Sequence, residues 1–456
     1  MNLPQGETQS SMTVTDAVEP ARVPAPSDAA PPVDAAPPAP DAAAAAPPAT
    51  GRFHGTDRAF FGLLLRGALF LLLTLGIYRF WLATDVRRFL WGNTEIAGDG
   101  LEYTGTAWEL LIGFLMAIVL LLPINGAFFL ATFVPWLLPF SGLLAFVLLA
   151  WLGQFAVYRA RRYRLTRTVF RGVRMHQTGS AWRYAIRSIL WWILTLATAG
   201  LAYPWAQANL ERYKMRHTHY GNLTGRFAGS GTRLFFRGFL LWLIVIGPFV
   251  AGVVVAIATI DWMALVTVLV GSSSIPSWDT IENASPGLPA AVVLAISGIS
   301  WAGLAAALLY PAFRAIVLRW WVSGLHLAGV SAKSQLRTGQ VYRVYLRFLG
   351  YSLLFAIVAG VIVGGAGGVF ALLSDSVGKS TTSEIVATVV FIGSYVIIAL
   401  GYSTVYQATV TIRLWRLSFE TTEMHGLDAL NAVEARGSPS SAFGEGLADA
   451  LDVGGL

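Results

Sequence analysis

Apolar stretches long enough to cross a bilayer dominate the chain. No charged residue occurs between Glu109 and Arg159, and four shorter uncharged stretches follow further along. A spanning helix needs about 20 apolar residues, and helices satisfy all of their backbone hydrogen bonds within the segment, as the hydrocarbon core requires. The first stretch has room for two helices and each of the others for one. The pattern therefore predicts six spans in three hairpins, over residues 109–133, 136–158, 237–260, 288–311, 347–372 and 385–411.

Two further hydrophobic segments, 67–78 and 188–203, are shorter. Apolar segments of about 10–14 residues more often re-enter or lie at the interface than span, but the second segment is long enough to span if it extends to Leu210. If both re-enter and the N-terminus is inside, 31 of the 32 Lys and Arg residues lie on the inner side, and Lys379 is the exception. Because Lys and Arg concentrate on the cytoplasmic side, we predict two half-inserted (re-entrant) segments and two cytoplasmic termini.

Composition supports a membrane protein of the all-α class. Only 12% of the residues are charged, against about 25% in soluble domains. The net charge of +7 comes from basic residues beside membrane segments, which favours anionic lipid head groups over nucleic acid as the partner. The chain has no cysteine, which excludes disulfides and thiolate chemistry.

The two ends of the chain differ from the middle. Residues 1–52 are rich in Ala and Pro and are predicted to be a disordered cytoplasmic tail, acting either as a tether or as a docking segment for a protein partner or a second copy. Residues 416–456 are predicted to be a second, mostly disordered cytoplasmic tail. The membrane part between them divides into repeat units 53–169 and 170–343 and a C-terminal helical hairpin, 344–415.

The two units are related by an internal repeat with an offset of 124 residues. The matching positions include Thr74 with Thr198, Gly76 with Gly200, Trp81 with Trp205 and Arg88 with Arg212. A repeat of this kind implies duplicated supersecondary structure. We interpret each unit as a half-inserted segment, a basic amphipathic helix, a short extended piece and a spanning hairpin. The last hairpin does not clearly repeat this order.

At these residues the chain resembles the YjgN family of multi-pass proteins of the bacterial inner membrane. The resemblance rests on Thr74-Leu-Gly-Ile-Tyr78 with Trp81, on Arg88-Phe89 and on Tyr103-Thr-Gly105-Thr106, with their counterparts in the second unit. It covers about residues 53 to 415. Arg79-Phe80 departs from the family, which commonly has a proline before the tryptophan. The resemblance implies a membrane fold in a bacterial envelope and no established activity.

Several repeat positions are candidates for a polar pathway. Discontinuous helices related by a repeat carry the substrate sites of secondary transporters, and basic side chains near the short segments would attract an anion. The structural alternative is that Gly permits a turn, Thr bonds its own backbone, Trp anchors at the interface, and Arg extends to the head groups. The candidates are Arg66, Thr74, Gly76, Trp81, Arg88, Arg187, Thr198, Gly200, Trp205 and Arg212.

A basic cluster with interleaved aromatics follows the first predicted hairpin. Such clusters beside a membrane bind anionic lipid. The candidate lipid-binding residues are Arg159, Arg161, Arg162 and Arg164.

Motifs of enzymes are missing from the sequence: we find no His-Glu-x-x-His, P-loop or Gly-x-Ser-x-Gly. We therefore expect no enzyme activity, no catalytic residues, no cofactor and no metal. The leading hypothesis is a transport or channel-like protein of the inner membrane for a small anionic solute or lipid. The alternative is a non-transporting scaffold that binds anionic lipid and protein partners through its basic cytoplasmic face.

Overall fold

The structure is a computed structural model that describes residues 48–271, 276–377 and 381–436. The predicted N-terminal tail lies outside the described residues except at its end, where a strand begins at Ala49. The predicted boundary at residue 52 is therefore too late. The second predicted tail is outside the described residues only from 437 onward.

Helices make up most of the described chain. Their order and bounds are α1 (Asp57–Leu73), α2 (Arg79–Gly92), α3 (Ala107–Ala131), α4 (Leu138–Thr166), α5 (Ala181–Ala197), α6 (Tyr203–Arg216), α7 (Gly231–Thr259), α8 (Trp262–Gly271), α9 (Trp278–Ala284), α10 (Leu288–Val322), α11 (Thr338–Val377), α12 (Thr381–Tyr406) and α13 (Ile412–Glu420). A π-helical turn, Gln407–Thr411, joins α12 to α13.

Six of the helical segments are long and apolar enough to cross a membrane, judged over the described residues. They are α3, α4, α7, α10, the Thr338–Gly365 part of α11, and the continuous segment Glu384–Glu420. The prediction of six long apolar helices is confirmed. Their outward side chains are exposed, as for Val119, which is 74% accessible. In a bilayer these side chains would meet hydrocarbon.

The described chain also forms a closed barrel of ten short antiparallel strands, so the all-α prediction is wrong in this respect. Sequence neighbours pair in turn, and the first strand closes the ring by pairing with the last. The strands are β1 (Ala49–Phe53), β2 (Thr94–Ile96), β3 (Asp99–Tyr103), β4 (Thr168–Phe170), β5 (Val173–Gln177), β6 (Thr218–Tyr220), β7 (Leu223–Phe227), β8 (Leu325–Leu327), β9 (Val330–Ser334) and β10 (Thr422–His425).

Tight turns connect four of the strand pairs. Ala97 and Gly98 have φ values of 53° and 89°, and Arg171 and Gly172 have 47° and 73°. Positive φ at both central residues is what a two-residue hairpin turn needs to match the twist of its strands. Strands of three to five residues are too short to show a clear alternation of polar and apolar positions, which is why the sequence predicted only short extended pieces.

The same order of elements occurs five times around the barrel. A five-residue strand leads into a helical section, and that section returns to a strand of three or four residues. Every helical section therefore leaves the barrel and comes back to it. The first and third sections match each other. Helices α1 and α5 each have 17 residues, and α2 and α6 each have 14. The first residues of the matching helices are 124 positions apart, at 57 and 181 and at 79 and 203.

Hydroxyl side chains begin four of these sections. The side-chain oxygens of Thr56, Thr106, Ser180 and Ser230 each accept a hydrogen bond from the backbone nitrogen three residues later, over 3.2–3.4 Å. These are N-caps, which satisfy a backbone donor that the first turn of a helix leaves unpaired. The caps therefore set the point at which each helix leaves the barrel.

The C-terminal segment covers the barrel end at which the hairpin turns lie. A 3-10 helix, Leu427–Ala432, places Leu430 against Phe170 and Tyr220. Asn431 accepts a hydrogen bond from Arg171 over 3.2 Å. We call residues 427–434 the C-terminal cover. The prediction that 416–456 is mostly disordered is thus wrong for 416–436, where the chain completes the barrel and its cover.

Candidate functional site

A cavity of about 980 Å³ lies between the helices and the barrel. Its walls come from α1, α2, α10, α12, the π-helical turn and α13, and the barrel contributes Ile96, Met175, Leu327 and Val330. We call it the central cavity. Its volume is near the upper end of the range for small-molecule sites, about 300–1,000 Å³.

Three arginines line the central cavity, and none of its described lining residues is acidic. Arg87 and Arg314 lie at similar heights, about 8 Å and 12 Å along their helices from the barrel, at 1.5 Å per residue. Arg79 lies about 20 Å from the barrel by the same measure. The arginines therefore mark several depths along α2 and α10, and they give the cavity a net positive charge.

The three guanidinium groups have different surroundings. Arg87 is buried and donates a hydrogen bond to the hydroxyl of Tyr103 over 3.2 Å. Arg79 lies over the ring of Phe114, 5.8 Å from its centroid. Arg314 is half-buried, and no described carboxylate pairs with it. Arg314 is therefore the arginine best placed to meet an anionic ligand.

The last helical section contributes a polar part of the wall. It carries Ser403 and Thr404 from α12, and Gln407 and Thr411 from the π-helical turn. In this turn the backbone nitrogen of Ile412 donates to the carbonyl of Gln407, five residues back. π-turns inside α-helices occur frequently at functional sites. The turn brings hydrogen-bonding side chains to a cavity whose charges come from other helices.

A smaller cavity of about 300 Å³ lies beside the third section. It is lined by Gly200, Tyr203, Phe235, Trp242 and Phe313, among others, and its described lining includes no charged residue. This second cavity can accept hydrocarbon, and its described lining offers no positive charge to an anion.

The predicted Thr and Gly positions form two matching turns, between α1 and α2 and between α5 and α6. Thr74 donates to the carbonyl of Phe70 over 2.7 Å and accepts from the backbone nitrogen of Tyr78 over 3.0 Å. Thr198 makes the equivalent pair of bonds at 2.8 Å and 3.0 Å. Gly76 and Gly200 have φ values of 94° and 92°, which only glycine adopts readily. These residues shape the turns and, apart from Gly200, line neither cavity.

Both predicted tryptophans pack against the helix that follows the next strand hairpin. Trp81 meets the ring of Trp108 at 5.3 Å, and Trp205 meets Phe235 at 5.0 Å. Neither lines the central cavity. Both rings therefore pack between neighbouring helices.

Arg88 and Arg212 hold the loops that lead into the following helices. Each donates to a glycine carbonyl over 3.0 Å, Arg88 to Gly105 and Arg212 to Gly229. Arg162 and Arg416 make the same kind of contact with Gly179 and Gly55. Arg319 stands at the corresponding place in the remaining section and donates to Thr338 over 3.2 Å. We call these five residues the arginine collar.

The structure does not bring Arg66 and Arg187 together. Arg66 is exposed on α1 and pairs with Asp85 over 3.8 Å. Arg187 is exposed on α5, and its guanidinium lies 4.9 Å from the centroid of the Tyr213 ring. Neither residue lines the central cavity.

The four candidate lipid-binding arginines occupy different environments. Arg161 donates to Gln177 over 2.7 Å and to Thr218 over 2.9 Å, which ties α4 to the barrel. Arg162 belongs to the arginine collar. Arg159 lies over the Phe155 ring, and both it and Arg164 are half-buried on the outside of α4. The cluster is therefore largely part of the junction between helices and barrel.

The sequence pattern did not single out Arg87 or Arg314 as site residues, and it marked Arg79 only as a departure from the resembled family. Arg87 stands beside Arg88, and it was Arg88 that carried the repeat. Arg314 lies beyond residue 311, where the predicted span ends, whereas α10 continues to Val322. A useful signal was available: an arginine within a continuous helical pattern, which is costly in hydrocarbon unless it faces a cavity or the bundle interior.

Two histidines stack on neighbouring strands of the barrel. The rings of His176 and His219 lie 4.9 Å apart with an interplanar angle of 17°. Burial lowers the pKa of His219 below its ordinary value of 6.5, and the nearby His176 and His217 lower it further. The pKa of His176 is lowered by burial. Across the described chain, no group of three or more His, Asp and Glu residues is placed to hold a metal ion.

Comparison with known proteins identifies the family to which the chain belongs. A search of curated proteins and a search of solved structures each find no match. A model of bacterial proteins of unknown function, DUF898, matches residues 48–450. The matched range contains the barrel, the six long apolar helices and the central cavity. Because it covers most of the chain, the protein belongs to the DUF898 family of bacterial proteins.

Proposed function

We propose that this protein is a multi-pass protein of the bacterial inner membrane that moves an anionic solute or lipid through its central cavity. The observation that carries the proposal is the cavity itself, which presents Arg79, Arg87 and Arg314 and no acidic residue among its described lining. Cavities with one sign of charge and low-dielectric walls concentrate ions of the opposite sign. The polar wall around Gln407 offers hydrogen bonds to the same ligand.

We further propose that α1–α2 and α5–α6 are re-entrant hairpins. Their helices have 17 and 14 residues, or about 25 Å and 21 Å, against a hydrocarbon thickness of about 30 Å. Their tips are apolar and exposed, with Leu75 at 94% and Leu196 at 84% accessible. A tip of this kind is suited to ending within lipid, and both hairpins return to the barrel.

The orientation that we propose places the barrel and both termini in the cytoplasm. Each helical section begins and ends at the barrel, and the arginine collar lies at this junction. Lys and Arg concentrate on the cytoplasmic side of membrane proteins, so a barrel surrounded by arginine supports this orientation.

An internal repeat remains our proposal for the origin of the fold, and the resemblance to YjgN proteins remains a prediction. The matched turns at Thr74 and Thr198 and the matched contacts of Arg88 and Arg212 support a duplication. Four of the collar arginines bind the carbonyl of a glycine that lies two residues after a five-residue strand. Because this contact recurs in successive sections, it supports a repeating unit of one section, which is shorter than 124 residues.

Flux into proteoliposomes tests the transport proposal. Purified protein is reconstituted and the uptake of inorganic phosphate, small carboxylates and phosphate-bearing lipids is compared with that of empty vesicles. We expect uptake of at least one class, and a decrease of about tenfold in Arg314→Gln, the loss expected for a charge-assisted contact. Arg237→Gln is the matched control, because Arg237 is exposed on α7 and does not line the cavity. Uptake no greater than in empty vesicles for every class contradicts transport.

A non-transporting scaffold is the second proposal. It is supported by exposed arginines near the barrel ends of α5 to α7, namely Arg183, Arg187, Arg216 and Arg233. These can bind anionic head groups at the inner surface. Neutralising all four and measuring flotation with phosphatidylglycerol vesicles tests the proposal, and unchanged flotation counts against it. The N-terminal tail, as a docking segment for partners, lies outside the described residues.

A further inference from the structure

The walls of the central cavity combine positive charge with a large amount of hydrocarbon. Ala68 and Leu71 from α1 and Leu82 from α2 are apolar, and α2 also carries Arg79 and Arg87. Arg314 on α10 and the polar residues around the π-helical turn add to the lining that can bind an anion. A small hydrophilic anion would contact only these charged and polar side chains. It would leave most of the wall without a matching partner.

Two of the arginines lie at similar heights in the cavity. Arg87 and Arg314 are about 8 Å and 12 Å from the barrel along their helices. Of these, Arg87 already donates to Tyr103. Arg314 lies beside the cavity without a described carboxylate partner. A single anionic group next to Arg314 would therefore receive a charge-assisted hydrogen bond and favourable Coulomb energy from both residues.

The cavity is also exposed at positions that would lie within the bilayer. Ser403 and Tyr406 line it from α12, yet both are exposed, Tyr406 at 39%. Tyr406 belongs to one of the six segments that can cross a membrane. An occupant with a hydrocarbon chain could therefore enter from the lipid without leaving an apolar environment.

We infer that the ligand of the central cavity is an amphiphile with one anionic head group, a phosphate or a carboxylate, and a hydrocarbon chain. The head group binds at Arg314, with Gln407 as a further hydrogen-bonding residue of the lining, and the chain lies against Leu71 and Leu82. This inference rests on the proposed function and narrows its substrate class. It also accounts for a cavity that is both cationic and largely apolar.

Native mass spectrometry of the full chain in a neutral detergent tests the inference. The probe is a single-chain lysophosphatidic acid, with lysophosphatidylcholine as the zwitterionic control and inorganic phosphate as the competitor. We expect the phosphate monoester to bind, the zwitterion to bind at least about tenfold more weakly, and phosphate not to displace the amphiphile. Arg314→Gln is expected to weaken binding by about tenfold or more, the range for a charge-assisted hydrogen bond. Arg237→Gln leaves it unchanged.

A second variant tests the apolar wall and guards against a variant that fails to fold. Ala68 is a small residue on that wall, so Ala68→Phe fills space that the chain would occupy. We expect it to weaken binding of the amphiphile while leaving the melting temperature unchanged. Normal amphiphile binding by a folded Ala68→Phe variant overturns the placement of the chain and with it the inference.

The remaining outcomes separate this inference from the proposed function. If inorganic phosphate displaces the lysophosphatidic acid and occupies the site equally well, the site binds small anions. This result overturns the amphiphile inference and leaves the proposal of anion transport standing. Equal binding of the zwitterion, or an equal loss in Arg237→Gln, shows surface adsorption and also overturns the inference. Failure of every probe to bind overturns it too, and flux measured on the same preparation then decides the transport proposal separately.

Discussion

Arg88 and Gly105 are joined by a hydrogen bond of 3.0 Å from the guanidinium to the backbone carbonyl, and Arg212 repeats this contact with Gly229 at the same distance. In both cases an arginine on a helix that returns to the barrel holds the loop that leads out of it. Gly105 has little room for a side chain, because a Cβ there would come within 2.6 Å of the Tyr103 ring. The arginine collar thus fixes adjacent sections to each other.

Removing one collar contact should lower stability modestly. Arg88→Gln deletes a charge-assisted hydrogen bond, and because Arg88 is exposed we expect a loss of about 1 kcal/mol. Arg88→Lys should restore little of it, since an ammonium reaches this carbonyl with a different geometry. The apparent melting temperature of the purified protein measures the effect. Arg58→Gln, at an exposed position on α1, is the control, and an equal decrease in both variants would contradict the collar contact.

Ion pairs connect the first helix, α1, to the last helix, α13. Asp57 pairs with Arg413 over 2.9 Å and with Arg416 over 3.2 Å. Asp57→Asn should lower the melting temperature, by less than a buried pair would because the carboxylate is 39% exposed. The double variant with Arg416→Gln should lose less than the sum of the single losses, since the two residues share one interaction. Fully additive losses would show that the pair is not coupled.

Acidification should destabilise the barrel through its stacked histidines. Because burial lowers the pKa of His176 and His219 in the folded protein, the folded state binds fewer protons than the unfolded state just below pH 6.5. The stability that the two neutral histidines contribute is therefore fully present above a pH of about 6.5. It is lost as the pH falls from there towards their lowered pKa values. We expect His219→Gln to flatten the decline of the melting temperature between pH 7 and 5. His425→Gln, at the exposed end of β10, should retain it.

Single cysteines can test the topology, because the chain has none of its own. A membrane-impermeant thiol reagent should label Asn283→Cys in intact cells and Gly100→Cys only after permeabilisation. Leu196→Cys, at the tip of the α5–α6 hairpin, should resist the reagent in both conditions because a re-entrant tip ends in lipid. Labelling of Leu196→Cys from outside would show that the hairpin spans.

Removal of the C-terminal cover should open the turn end of the barrel. Val330 lines the central cavity and packs in the cluster that contains Leu430. In permeabilised cells, Val330→Cys should react slowly in the full chain and faster when residues 427–456 are deleted. Deletion of 437–456 alone keeps the cover and serves as the control. Equal rates in the two truncated proteins would mean that the cover does not close the barrel.

Local properties of the chain were readable from the sequence. Five uncharged stretches, the first long enough for two helices, predicted six helices, because both the length of an apolar segment and its lack of charge can be read within one continuous window. The Thr and Gly positions at 74, 76, 198 and 200 also fell at real structural features, since backbone turns depend on adjacent residues. The structure shows all four at the turns, and of the four Gly200 lines the second cavity.

The barrel and the cavity could not be read in this way, because they depend on residues far apart in the chain. Strands of three to five residues carry almost no periodicity, and each is stabilised by a neighbour that returns only after a helical section. The cavity brings together Arg79, Arg314 and Gln407 from three different sections. The sequence by itself therefore determined the membrane class, the number of long helices and the sites of the turns. Only the tertiary structure decided which arginines hold the fold together and which face the cavity, because that depends on the side of each helix that the closed barrel turns inward.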